Sequence, residues 1–308
     1  MFTVSVNPTY HCNFRCDFCY LTPTQLSDRR KIQISTLRER LDEVSNYTEI
    51  THIDLYGGEP LLNPFTYEII DKSIENDVAK EQVLGIHTNC TIFSDELVEK
   101  LGKFKHAILG LSFDAIGEHN DYIRHLSKWN QVEGNIEKFL KASMNHPTIF
   151  PDFSITTQIL NVFYLPEICQ YVHDKGWLED EFTLFENHEN ITAAGRGVGN
   201  VSMSFANRVY DKKECNIMYI PKPIKEIIRK KLSDYQPPVG KNGSHAVMHM
   251  YIRDVETVIN TLDYTPDDYD QHRDTFWNIS GKIDGYRKQS FKNTMPEYYE
   301  LFAEFYSK

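Results

Sequence analysis

The sequence predicts an α/β fold in which a parallel sheet carries helices on its outer side and is followed by a C-terminal extension, α-rich or α+β. Two observations point there. Short β-branched runs alternate with stretches of helical spacing, giving six βα-type units in about 185 residues. The cysteine-rich and glycine-rich clusters come directly after strands, where parallel sheets gather their functional loops. Alternation alone fits either an open doubly wound sheet or a partial barrel.

The elements follow in order. Residues 2–7 read as a strand leading into the cysteine loop, and 34–47 have helical spacing through Leu37, Leu41 and Val44. Residues 51–56 form the next strand, 64–76 a helix and 82–87 a strand. Residues 94–104 form a helix, with Ser94 as N-cap and Asp95 and Glu96 placing acid in the first turn. Strand 106–113, helix 130–143, strand 152–159, helix 164–175 and strand 181–185 complete the pattern. Residues 1–200 are read as the core domain and 201–308 as a substrate-facing or capping extension. Within that extension 220–232 and 255–262 have helical spacing, 235–243 is an exposed loop, and 295–306 present Tyr298, Tyr299, Phe302 and Phe305 as core packing on a helix.

Composition sets outer bounds. At 41% hydrophobic and 25% charged, with no apolar run near membrane-helix length, the chain reads as a soluble globular protein. The N-terminus lacks the features of a signal peptide, and a reducing cytoplasmic setting suits thiols that must stay reduced. A net charge of −11 argues against broad binding to a nucleic-acid backbone.

Cys12, Cys16 and Cys19 form a CxxxCxxC pattern in one short loop. Three thiolates can hold three irons of a cubane cluster and leave the fourth open to a reacting molecule. Zinc, with His11 or a distant residue as fourth ligand, is the alternative, although zinc sites commonly pair two C-x-x-C knuckles and no second one is present. The second strand ends in Gly57-Gly58-Glu59-Pro60, where paired glycines let backbone approach a ligand closely and Glu59 adds a fixed charge.

With both motifs in place, the sequence resembles the radical S-adenosylmethionine (radical SAM) family over roughly residues 1 to 200. The resemblance implies a partial (β/α)6 TIM-like barrel. It also implies a [4Fe-4S] cluster on Cys12, Cys16 and Cys19 that chelates S-adenosyl-L-methionine (AdoMet), whose reductive cleavage gives a 5′-deoxyadenosyl radical that abstracts hydrogen from a substrate. Gly57, Gly58 and Glu59 are then expected at the cofactor's ammonium, and the Phe18 backbone at the adenine. His87-Thr88-Asn89-Cys90 is similar to the family's Thr-Asn-Gly strand end, which puts Asn89 near the cofactor and leaves Cys90 where glycine is usual. The stretches 111–115 and 119–124 resemble sulfatase-maturing and peptide-modifying members, implying that Ser112 and Arg124 hold the cofactor carboxylate. Read without the family, a surface ion pair with Asp121 is the equal alternative for Arg124. Gln158 and Asn161 are candidates for bonds to the ribose or adenine.

The glycine-rich stretch 187–201 lacks the Gly-Lys-Ser/Thr ending of a phosphate loop. After Cys169 only Cys215 remains, so no auxiliary cluster is expected. Cys215 is either a buried apolar thiol or a donor that returns hydrogen to a substrate radical. His245 and His249 stand four apart without the glutamate of a zinc helix and read as ordinary packing or surface histidines. The implied partners are a reductant such as flavodoxin or ferredoxin and a substrate that is a peptide or protein side chain, or alternatively a small metabolite or nucleotide. A non-catalytic zinc-binding protein is the alternative from another class.

Overall fold

The computed structural model describes residues 2–19, 21, 50–177, 202–208, 212–239 and 246–308. Six strands, β1 Phe2–Thr9, β2 Ile50–Gly57, β3 Val83–Thr88, β4 His106–Ser112, β5 Ile149–Thr157 and β6 Ser202–Arg208, form its sheet. All pair in parallel, and each lies beside its neighbour in the chain. A doubly wound sheet reverses strand order at a switch point, whereas unbroken sequential order belongs to a barrel. No pairing joins β6 to β1 among the described residues, so the architecture is a partial barrel.

The strands alternate in burial for a physical reason. Ile53, Leu55, Leu84, Ile86, Leu109 and Leu111 are buried in one core cluster with side chains of the surrounding helices. Between them stand His52, Asp54, His87 and Ser112, half-buried on the other face. A strand enclosed on both faces would read as a continuous apolar run; here the second face lines the barrel interior. Glycines make room there: a Cβ at Gly85 would lie 2.2 Å from Asp54 Oδ1, and one at Gly110 would lie 2.5 Å from His87 Nδ1.

The helices of this half are α1 Pro64–Glu75, α2 Asp95–Leu101, α3 Gly117–Ile123, α4 Trp129–Asn145 and α5 Leu165–Asp174. Asn63 caps α1 and Ser94 caps α2, the latter accepting from Leu97 N–H at 3.1 Å as its sequence position predicts. The helix α3 carries no expectation from the sequence: it has neither the side-chain cap nor the acidic pair in its first turn that mark α2. The strand β5 begins three residues before the expected 152 and runs through Pro151. Proline is tolerated there because β6 pairs only from Asp152 onward, so β5 has a neighbour on one side at that point. The sixth strand lies beyond residue 200, and the expected helix 34–47, strand 181–185, glycine-rich stretch 187–201 and His245 fall outside the described residues.

The C-terminal segment is α-rich: α6 Lys222–Asp234, α7 Ala246–Asp263, α8 Tyr269–His272, α9 Thr275–Arg287, α10 Phe291–Thr294 and α11 Pro296–Tyr306. Tyr298 and Phe302 of α11 are buried, and Tyr298 stacks on Phe163 with ring centroids 5.1 Å apart. That contact fastens the last helix to the turn after β5. Among the described residues no helix is long and apolar enough to cross a membrane.

Candidate functional site

At the carboxyl ends of β1 and β2 the cysteine loop and the glycine turn are packed backbone against backbone. Gly58 N–H donates to Thr9 carbonyl at 2.8 Å and Glu59 N–H to His11 carbonyl at 2.9 Å. A Cβ at Gly57, where φ is +126°, would come within 2.1 Å of Thr9 O, and one at Gly58 within 2.1 Å of His11 O. The close approach these glycines allow is therefore to the cysteine loop itself, where the sequence pattern alone suggests a ligand.

Glu59 is fully buried and links three segments. Its Oε1 accepts from Leu61 N–H at 3.1 Å and Thr88 Oγ1 at 2.8 Å, and its Oε2 accepts from Asn89 N–H at 2.6 Å. Burial pushes its carboxyl up to about 7, opposed by these hydrogen bonds. Asn89 carries the linkage on: its Nδ2 donates to Asn13 Oδ1 at 2.7 Å and toward Cys12 Sγ at 3.6 Å, and its Oδ1 accepts from Thr91 Oγ1 at 2.6 Å. Cys90 adopts φ +62°, so a cysteine occupies the left-handed conformation that glycine would take with less strain. Its thiol is in the core.

Arg124 pairs with Asp114, not with Asp121. Its Nε donates to Asp114 Oδ2 at 2.7 Å, both groups being nearly enclosed, while Asp121 caps α4 through Trp129 N–H at 3.0 Å. Burial raises the Asp114 carboxyl, opposed by the guanidinium. The same guanidinium lies 5.7 Å from the Phe18 ring centroid, joining the arginine to the cysteine loop. Ser112 ends β4 beside them, half-buried and in register with Ser154.

The two candidates after β5 divide. Asn161 donates to the Asp114 and Thr156 carbonyls, both at 3.0 Å, and accepts from Gln158 N–H at 2.8 Å. It is fully buried with its amide donors and carbonyl engaged, so it braces the turn and is withdrawn as a ribose or adenine contact. Gln158 is equally buried, yet neither Oε1 nor Nε2 has a hydrogen-bond partner among the described residues. Gln158 is one of the residues lining a cavity of about 120 Å³, together with Cys215 and Asp17. Cys215 is buried on a short turn after β6, its carbonyl accepting from Ile159 N–H at 2.9 Å, and burial raises its thiol.

Two residues that carried no signal in the sequence clamp the cysteine loop from the C-terminal side. Arg287, at the end of α9, pairs with Asp17 at 2.7 and 2.8 Å and donates to Arg15 carbonyl at 2.6 Å. Lys212 Nζ donates to Asp17 carbonyl at 2.8 Å. Burial moves the Asp17 carboxyl up to about 6, opposed by Arg287 and Lys212. A cation some 270 residues downstream has no local pattern to announce it.

Burial pushes the Cys12 and Cys16 thiols up and charge on Cys19 adds to both, so in this arrangement the neutral thiols are favoured and ligation would have to supply the charge that holds them as thiolates. Among the described residues no three such side chains converge on a single ion. Cys12 Sγ already accepts from Phe14 N–H at 3.4 Å and faces the Asn89 amide, the kind of donors that support a cluster thiolate.

Comparison with known proteins agrees with this geometry. The sequence pattern of the Radical SAM superfamily matches residues 6–156. Pre-heme d1 synthase of Dinoroseobacter shibae is 26% identical over 195 residues, 63% of this chain and 44% of that protein. Fe-coproporphyrin III synthase of Methanosarcina barkeri is 24% identical over 174 residues, 54% of this chain and 42% of that protein. The chain thus spans less than half the length of these two relatives. The solved structure of native anSMEcpe with bound AdoMet and Cp18Cys peptide covers 74% of this chain and 58% of its own, at 15% identity and a TM-score of 0.51, a likeness of fold. The family match places residues 6–156 of this chain in the radical SAM superfamily, a superfamily of enzymes, in place of the alternative of a non-catalytic zinc protein.

Proposed function

We propose that this chain holds one [4Fe-4S] cluster on Cys12, Cys16 and Cys19, cleaves AdoMet reductively with an electron from a flavodoxin or ferredoxin, and abstracts hydrogen from a peptide or protein side chain. The observation that supports this most is the cysteine loop, fixed by the glycine turn and Asn89 on one side and by Arg287 and Lys212 on the other. In this reading Asn89 and Phe14 N–H steady the Cys12 sulfur. Arg124, oriented by Asp114, and Ser112 receive the carboxylate of AdoMet, and Phe18 supplies backbone to its adenine. Gly57, Gly58 and Glu59 present carbonyls and negative charge to its ammonium. Because both Glu59 oxygens already accept from the protein, Glu59 acts first by holding that turn. Residues 201–308 cap the site, and Cys215 is its candidate hydrogen donor.

A second reading, modification of a small metabolite, draws on the printed names of the relatives, two of which are synthases of haem-type products. The sequence similarity of 111–124 to peptide-modifying members favours the first.

Anaerobic reconstitution with iron and sulfide, then dithionite and AdoMet, tests the core of the proposal. About four irons per chain and release of methionine and 5′-deoxyadenosine are expected, with both lost when alanine replaces any one of the three cysteines. Colourless, zinc-bearing protein that leaves AdoMet intact would sink it. Deuterated substrates decide between the readings: label passing from a peptide into 5′-deoxyadenosine upholds the first, and label from a tetrapyrrole precursor upholds the second. In the productive reaction, Cys215→Ala should stop product while AdoMet cleavage continues; unchanged turnover removes Cys215 from the chemistry.

A further inference from the structure

We infer that the cavity between Gln158, Cys215 and α9 is a carboxamide-binding subsite for the substrate. The inference rests on the peptide reading above and narrows it. The cavity lies between the turn after β5, Asp17 of the cysteine loop, the turn bearing Lys212 and Cys215, and Phe276 and Ile283 of α9. A group held there stands directly against the loop that carries Cys16 and Cys19.

Gln158 decides what that group is. Its side chain is 0% exposed, and its Oε1 and Nε2 both lack hydrogen-bond partners among the described residues. Buried amides without partners are rare, since each has given up water for nothing in return. The side chain is nonetheless held still by its backbone: Gln158 N–H donates to Asn161 Oδ1 at 2.8 Å, and its carbonyl accepts from Asn161 N–H at 3.1 Å and Val162 N–H at 3.0 Å. A rigid turn thus presents an unpaired donor beside an unpaired acceptor. A second carboxamide offers the matching acceptor and donor in one planar group. A carboxylate would satisfy only Nε2, and an ammonium only Oε1.

The charges in the wall leave room for a neutral ligand. Asp17 is paired with Arg287, and Lys212 Nζ is bound to the Asp17 carbonyl. Glu214, also on the wall, would repel an anion. A volume of about 120 Å³ holds several water-sized groups, enough for an amide with its methyl neighbours. Peptide bonds and Asn or Gln side chains share this chemistry.

Saturation-transfer NMR on the anaerobically reconstituted full chain, with acetamide, N-methylacetamide, sodium acetate and methylammonium as probes, tests the subsite. Saturable binding of one or both amides is expected, with the two ions weaker, and Gln158→Met should weaken amide binding roughly tenfold or more. The volume-matched Met removes both polar atoms. Preference for N-methylacetamide points to a peptide bond and preference for acetamide to a side-chain or metabolite amide; either upholds the subsite. No saturable amide binding to the wild-type protein, acetate binding as well as acetamide, or amide binding unchanged in a folded Gln158→Met protein would overturn it. The probe preference of the wild-type chain stands even if the variant does not fold. Because binding is read without turnover, failure of the peptide reading leaves this result intact, and peptide turnover without amide binding removes the subsite alone.

Discussion

Two buried polar regions flank the cysteine loop, and they are built in opposite ways. On the β1–β3 side Glu59 binds three donors and the Asn89 amide bridges Asn13, Cys12 and Thr91. On the β5–α9 side Gln158 lines a cavity, and both of its buried polar atoms lack hydrogen-bond partners among the described residues. A buried network with its hydrogen bonds made rigidifies its surroundings, and one left unmade is stable only when something else completes it. Both sides hold the loop, but only the β5–α9 side carries a buried amide whose hydrogen bonds are left open.

The contrast can be broken first at the glycines. Gly58→Ala would drive a Cβ into the His11 carbonyl, and Gly57→Ala would add a strained φ. Each should destabilise the chain by about 3 kcal/mol or more in urea unfolding and abolish cluster loading. An unchanged midpoint would mean that the turn does not press on the loop.

Removing Glu59 should come next. Glu59→Ala strands the buried Thr88 hydroxyl and the N–H groups of Leu61 and Asn89, at a cost of about 3 kcal/mol. Gln158→Met deletes no protein–protein hydrogen bond from its side chain, so its unfolding midpoint should move by less than about 1 kcal/mol. Equal losses at the two positions would erase the distinction between the two sides.

The clamp on the far side of the loop should fall between these. Arg287→Ala leaves the mostly buried Asp17 carboxylate without its partner and should cost about 2–3 kcal/mol, with partial loss of iron on gel filtration. Arg287→Lys, which keeps charge but loses the two-pronged geometry, should recover part of both.

A smaller effect appears with pH. Burial pushes His119, at the edge of the same β5 turn, down to about 4, opposed by its bond to the Leu160 carbonyl. The folded chain therefore prefers the neutral ring. The stability linked to it is complete above the ordinary 6.5 and is lost as pH falls through about 4. His119→Gln should flatten that acid limb in denaturation curves taken at several pH values. Glu59 runs the other way: its raised carboxyl favours folding while protonated, a contribution complete below 4.5 and lost as pH rises through about 7.

How far the sequence reached follows the same division. Strands, the Ser94 cap and both loop motifs are local patterns, and periodicity or spacing reveals them. Asp114 stood within a recognised stretch but was not connected to Arg124, because a strand end and a helix end ten residues apart meet only in the fold. Arg287 and Lys212 reach the loop from 270 and 195 residues away, beyond any local reading. Asn161 and Gln158 look alike as letters; only enclosure shows that one is saturated and the other not.

Electron paramagnetic resonance of the dithionite-reduced, reconstituted chain, recorded with and without AdoMet, tests the central claim most directly. One cluster held by three cysteines should give a single signal that shifts when AdoMet is added and that disappears in the Cys16→Ala chain. A signal indifferent to AdoMet, or one that survives the loss of Cys16, would contradict the claim that this loop carries an iron open to the cofactor.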